Sequence, residues 1–135
     1  YDALYSFGAR SFSIWNGNSG QLLFDSKNDL DQRIIVAGRY DDGRSDDKSV
    51  EPEGLTIGKV GKKQVVFVGS ERSDAVVLYD ISNPLNPVFL QVLPCGDAPE
   101  GVLFISAKDS PAKGHSLLVV SSEDDGVIKI YSPSK

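Results

Sequence analysis

Methionine is absent from the 135-residue chain, and cysteine, histidine and tryptophan occur once each. A single cysteine, Cys95, excludes an intrachain disulfide and any multi-cysteine metal cluster, and reads as a buried free thiol. A single histidine, His115, lies in the turn-like "SPAKGHS" and reads as a surface residue rather than a catalytic base. It also excludes from this chain the His-rich ligand sets of two-metal hydrolytic centres. A basic excess is lacking as well: 14 Lys and Arg stand against 19 Asp and Glu, a net charge of -5. That balance argues against nucleic acid or an anionic membrane as partner, since both need a basic face. No apolar run approaches the ~20 residues of a membrane-crossing helix. Asn16, Asn18, Asn28, Asn83 and Asn86 all fail the N-x-Ser/Thr pattern, and no G-x-S-x-G, H-E-x-x-H or P-loop motif occurs. With Tyr1 first and no methionine, the chain is expected to be a processed or excised piece, so the sequence is silent on any leader or anchor.

What the chain does have is a repeat. "VVFVGSERSDAVVLYDIS" (65 to 82) aligns without a gap on "LLVVSSEDDGVIKIYSPS" (117 to 134), placing Glu71 on Glu123, Val76 on Ile128, Leu78 on Ile130 and Tyr79 on Tyr131. Upstream of each copy stands a second match, "PEGLTI" (52 to 57) and "PEGVLFI" (99 to 105). A fainter copy, "ARSFSIWN" (9 to 16), puts Phe12, Ile14 and Trp15 at the positions of Val76, Leu78 and Tyr79. A period of about 40 to 50 residues marks stacked supersecondary units.

The units read as strands. "QVVFVGS" and "SLLVVSS" are continuous apolar runs suited to strands covered on both faces. "AVVLYDI" and "GVIKIY" alternate, and Lys129 implies that its face, shared with Val77, reaches water. "SNPLNP" and "NGNSG" are turns. The middle copy thus predicts strands at 53 to 58, 64 to 70, 75 to 81 and 88 to 93, while 29 to 40 holds one helical turn at most. A four-stranded antiparallel unit at this period is a propeller blade. The expectation is an all-β partial β-propeller of about two and a half blades, one segment over 1–135 from a larger propeller. It divides into a partial blade (4–26), an acidic connecting loop (27–52), a complete blade (53–93) and a second partial blade (99–131). A small sandwich is the runner-up.

The acidic stretch "DDGRSDDKSVEPEG" (41 to 54) sets six carboxylates against Arg44 and Lys48. In a meander, the start of a first strand and the end of a second share a rim. Glu53 and Glu100 open first strands, Glu71 and Glu123 close second strands, and the loop leads into Glu53, so all should gather on one face. Crowded carboxylates are unfavourable unless neutralised. Arg72, Arg44 and Lys48 can do this by ion pairing; a hard cation such as Ca²⁺ can do it through ~6 to 8 oxygens. The candidate metal ligands are Asp46, Asp47, Glu53, Glu71, Glu100 and Glu123, with Arg72 as internal counter-charge. Gly43 is misplaced for an EF-hand. The competing reading is a solvated charged loop beside glutamates that merely receive backbone N–H bonds.

"LYSFGARSFSIW", "RSDDKSVEPEG", "GSERSDAVVLYDISNP" and "APEGVLFISAKDSPAKGHSLLVVSSED" together resemble the choice-of-anchor I family, which includes mesenchyme-specific cell-surface glycoproteins of echinoderm and mollusc biomineralising cells. Its bacterial relatives carry an alkaline-phosphatase-like label. The family's motif resembles R-S-D-D-K-G-P-E-P-E-G. Arg44, Ser45, Asp46, Asp47, Lys48, Glu51, Pro52, Glu53 and Gly54 match it, as do Glu71, Arg72, Pro99, Glu100, Gly101 and Glu123 in the downstream motifs, while Ser49 and Val50 depart from Gly-Pro. The resemblance implies a secreted or surface-anchored β-propeller, with calcium carbonate deposition in the biomineralising members. The expected function is an extracellular or cell-surface propeller whose acidic face binds a divalent cation, meeting a matrix or mineral surface or another protein. The alternatives are an alkaline-phosphatase-like phosphoester hydrolase at the same face, and a metal-free interaction scaffold.

Overall fold

The computed structural model describes residues 2, 3, 8 and 10–133. The opening of the first expected blade, 4–7 and 9, lies outside the described residues. The described chain is all-β apart from one helix and short 3₁₀ turns, in three antiparallel sheets of two, four and three strands that form no closed barrel. The first sheet pairs β1 (Ser13–Trp15) with β2 (Leu22–Asp25). The second runs β3 (Pro52–Val60), β4 (Lys63–Ser70), β5 (Ala75–Asp80) and β6 (Val88–Pro94) in that order. The third runs β7 (Pro99–Ile105), β8 (Leu117–Ser122) and β9 (Ile128–Tyr131).

The sequence repeat is a repeat of pairing. Pro52 opposes Ser70 and Leu55 opposes Val68 in the second sheet; Pro99 opposes Ser122 and Val102 opposes Val120 in the third. Both first strands carry an irregularity just after the proline. A second shared irregularity falls between Leu78 and Tyr79 of β5 and between Ile14 and Trp15 of β1, the positions that the faint first copy aligns. Bulges bend a strand at a fixed register, so their recurrence fixes how each unit curves.

Side-chain alternation then builds two cores. Val66 and Val68 of β4 face Phe12, Leu30, Ile34, Val50, Val77 and Tyr79, while Val65 and Phe67 face Val76, Leu78, Leu118 and Val120. β4 is therefore buried on both faces, as its continuous apolar run requires. The innermost strands of the second and third sheets meet closely: the Phe104 ring of β7 lies where a Cβ on Gly58 of β3 would stand, and it stacks on Phe67 with ring centroids 5.6 Å apart. Glycine at 58 is thus a seat for an aromatic ring.

Three expectations need correction. Residues 29 to 36 form a two-turn helix, α1 (Asp29–Val36), so 27–52 is not simply a loop. Its inward contacts are Leu30 and Ile34, four residues apart and fully buried, and the Tyr79 hydroxyl donates to Asp29 at 2.7 Å. Two buried positions suffice because a helix this short draws its stability from tertiary packing. Val77 does not reach water; it is fully buried against the first core, because the first sheet covers the face that Lys129, its counterpart, leaves open. The reverse holds for Ile128 and Ile130, 67% and 63% exposed, whose counterparts Val76 and Leu78 are buried by the third sheet.

Candidate functional site

The site begins with a backbone device. Glu51, just before β3, has φ 48° and accepts the backbone N–H of Glu71 at 3.1 Å. Ala98, just before β7, has φ 53° and accepts the N–H of Glu123 at 2.9 Å. In both units, then, the residue before the Pro-Glu-Gly motif takes the uncommon left-handed conformation and clasps the end of the second strand. This clasp sets the glutamate opening one strand beside the glutamate that ends the next.

Around the first clasp, Glu51, Glu53 and Glu71 each present a carboxylate oxygen, all within 4.8 Å of one another. Glu51 is the hub. Only 4% of its side chain is exposed, yet it receives Lys48, the Arg72 Nε at 2.8 Å and the Arg44 NH2 at 3.5 Å. Burial alone would raise its pKa; the hydrogen bonds from Lys48 and Arg72 outweigh burial and hold it below the usual glutamate value. Arg72 also reaches Glu71 at 2.9 Å. Glu71 nonetheless titrates high, first because it is buried and then because Glu51 and Glu53 repel its charge. Glu53 is exposed and, among the described residues, has no cation within ion-pair distance.

Around the second clasp lie Glu100, which opens β7, and Glu123, just past the end of β8. Glu123's charge is the main reason that Glu100 holds its proton more tightly than an ordinary glutamate, with burial and Glu53 adding to it. The influence of Glu53 on Glu100 joins the two groups across the boundary between the sheets, where Gly54 lies against the Glu100 carbonyl.

Of the six expected ligands, the structure brings Glu53 and Glu71 together at the first clasp, with Glu51, while Glu100 and Glu123 lie at the second. Asp47 is instead tied to Arg44 at 2.7 Å, and Asp46 is exposed on the loop. The expected counter-charge, Arg72, is there. Sequence reasoning omitted Glu51 from the ligand set, although the repeat held a signal: its counterpart is Ala98, so the backbone clasp needs no carboxylate and Glu51 has a separate job. Ser49, in place of the motif's glycine, keeps the turn by adopting φ 57° while its hydroxyl bonds to Asp31 and Tyr40, each at 3.0 Å. Val50, in place of the motif's proline, is buried in the first core. His115 is exposed in a turn, and Cys95 is a buried free thiol.

The described residues thus form a repeat-built, all-β domain of antiparallel sheets. The chain belongs to the choice-of-anchor I family, whose domain model matches residues 1–84. It is similar to Gigasin-3a of Magallana gigas, 24% identical over 164 aligned positions that cover 97% of this chain and 58% of that protein. The chain thus spans little more than half the length of this curated relative. No solved structure matches it. Family and relative together point to an extracellular or cell-surface protein. Among the described residues, no helix is long and apolar enough to cross a membrane.

Proposed function

We propose that this chain is a segment of an extracellular or cell-surface β-propeller whose acidic rim binds a divalent cation, Ca²⁺ first among candidates. The propeller reading is supported by the recurrence of strand order, register and bulges in successive sheets stacked through shared cores. Its blades are the partial unit 4–26, the complete unit 53–93 and the partial unit 99–131.

One observation carries the cation reading. Glu51, Glu53 and Glu71 bring carboxylate oxygens within 4.8 Å of one another, and the charge of Glu123 makes Glu100 hold its proton more tightly than usual. A hard cation relieves this repulsion through oxygen ligands. Glu51 is committed to Lys48 and Arg72 and serves to anchor the acidic loop, so the ligands are the exposed Glu53, Glu100 and Glu123 with the half-paired Glu71, and water completes the ~6 to 8 positions that Ca²⁺ takes. Such a rim suits a matrix or mineral surface, where Ca²⁺ bridges fixed anions on both sides.

The test is a thermal melt in EDTA, then across Ca²⁺ with Mg²⁺ as control. An ion binding only the folded state adds about 2.7 kcal/mol at a hundred times its Kd, a rise of several degrees. Glu53→Gln with Glu100→Gln should abolish the rise. A midpoint flat in Ca²⁺ would leave the rim to arginine and water and defeat the proposal.

A further inference from the structure

A cleft of about 680 Å³ opens where the end of α1, the turn after β4 and the β6–β7 connection meet. It adjoins the rim through Glu71 and its partner Arg72, while Glu53, Glu100 and Glu123 do not line it. Its volume is in the range of small-molecule sites. Several of its charged groups are already engaged. Arg72 is held by Glu51 and Glu71, and the Asp41 carboxylate accepts the Gly43 N–H. Arg39, Ser73, Asp74 and Asp97 remain.

Each of these four has unused capacity. Ser73, only 3% exposed, lines the cleft, and its buried hydroxyl has no hydrogen-bond partner. A buried hydroxyl without a partner is unfavourable, so it marks a place where a polar group belongs. Arg39 reaches only the Ser73 and Asp74 carbonyls, both at 3.4 Å, and has no carboxylate within ion-pair distance among the described residues. Asp74 spends one oxygen on the Ala98 N–H at 3.2 Å. It lines the cleft together with Asp97, whose proton is held more tightly than usual chiefly by the Asp74 charge. The cleft thus offers an unneutralised pair of carboxylates, an unneutralised guanidinium and an orphan hydroxyl. A simple cation answers the first and not the second; a simple anion does the reverse.

We infer that this cleft binds a small zwitterion, its ammonium group between Asp74 and Asp97, its carboxylate on Arg39, and the Ser73 hydroxyl completing the polar contacts. Free amino acids and short peptides have this chemistry. The inference does not rest on Ca²⁺ at the rim, because the contacts it invokes are those of Arg39, Ser73, Asp74 and Asp97 and not those of Glu53, Glu71, Glu100 or Glu123.

The test dissects the ligand. L-Ala-L-Ala, its N-acetyl form (no ammonium) and its C-terminal amide (no carboxylate) are titrated into the ¹⁵N-labelled chain. The amides of Ser73, Asp74, Asp97 and Ala98 report binding. The free dipeptide should bind at least about tenfold more tightly than either blocked form, one lost charge-assisted contact corresponding to about 1.4 kcal/mol or more. Asp97→Asn should erase the advantage over the acetylated form and Arg39→Gln the advantage over the amide, each with an otherwise native amide spectrum. Should Arg39→Gln disturb that spectrum, Arg39→Lys, which keeps the charge, should retain a weakened advantage. Equal affinity for all three ligands, shifts elsewhere than these amides, or no shift with any ligand would overturn the assignment.

Discussion

The Glu71 backbone N–H donates to the Glu51 carbonyl at 3.1 Å, and 52 residues on the same bond joins Glu123 to Ala98. An alanine does the backbone work in the later unit, so the Glu51 carboxylate can be removed without breaking the clasp. What is lost is the pairing with Lys48, Arg44 and Arg72. Those cations are partly exposed, with side-chain accessibilities of 31% to 42%, and water replaces part of the loss. Glu51→Ala should therefore destabilise by about 1–3 kcal/mol, less than the 3–5 kcal/mol of a fully buried pair. Urea denaturation measures this. In a double-mutant cycle, Arg72→Ala should cost less in the Glu51→Ala background than in the native one.

The carboxylates also predict the shape of the pH profile. Glu51 and Asp25 titrate below their ordinary values of 4.5 and 3.8, and Asp80, held by Ser82 and Lys63, falls to about 2. Groups lowered by folding contribute stability that is present above the unfolded pKa and is lost as pH falls through the folded one. Glu71 and Glu100 are raised above 4.5. For these the folded state holds the proton more tightly, so stability is highest below the unfolded value and declines as pH rises through the folded one. Stability should thus rise as pH is lowered towards the ordinary glutamate value of 4.5, and fall as the lowered groups take up protons below it. Glu71→Gln should raise the melting temperature at pH 7 and flatten the change between pH 7 and 5. A profile that only falls from pH 7 downward would contradict the burial and repulsion found at Glu71.

How much of this was legible in the sequence depends on how far each residue's role is local. The strands of the middle unit lie within two residues of their expected bounds, because β4 and β5 are apolar enough to name themselves and the 52-residue spacing copies their register. Helix α1 was not legible. Its core contacts are Leu30 and Ile34, but Ile35 and Val36 beside them are exposed, Val36 by 87%, which blurs the helical period. The approach of Glu53 to Glu71 followed from meander geometry alone. The hub at Glu51 did not, because a buried glutamate inside a run of charges looks like any solvated one until Arg72, 21 residues on, is seen to reach it.

The contact of the second and third sheets rests on Gly58. A Cβ there would fall within the Phe104 ring, and Phe104 is held in turn by its stacking on Phe67. Gly58→Ala should force one of the rings off its rotamer and cost about 1–3 kcal/mol. Phe104→Leu, which empties part of the site, should make the same glycine substitution markedly less damaging. Additive effects of the two changes would show that the glycine serves the backbone rather than the ring.

Cys95 offers a direct readout of that same interface. It is buried in the core between these sheets, and its N–H is fixed by the Asp74 carbonyl at 2.8 Å. Burial above all, and then the Asp74 charge, push its thiol up to about 11. The thiolate is the reactive species, so at pH 8 a pKa near 11 leaves roughly one thiol in a thousand ionised, against about a quarter at the ordinary value near 8.5. Iodoacetamide at pH 8 should hardly label the native chain and should label it fully in urea, with a midpoint matching loss of the folded signal. Gly58→Ala, by loosening the interface that covers Cys95, should speed native-state labelling in proportion to its loss of stability, whereas Glu51→Ala, acting at the rim, should speed it only through global unfolding. Rapid labelling of the untouched chain in native buffer would show that the sheets part locally at this core, and that the packing of Phe104 on Gly58 is not what closes it.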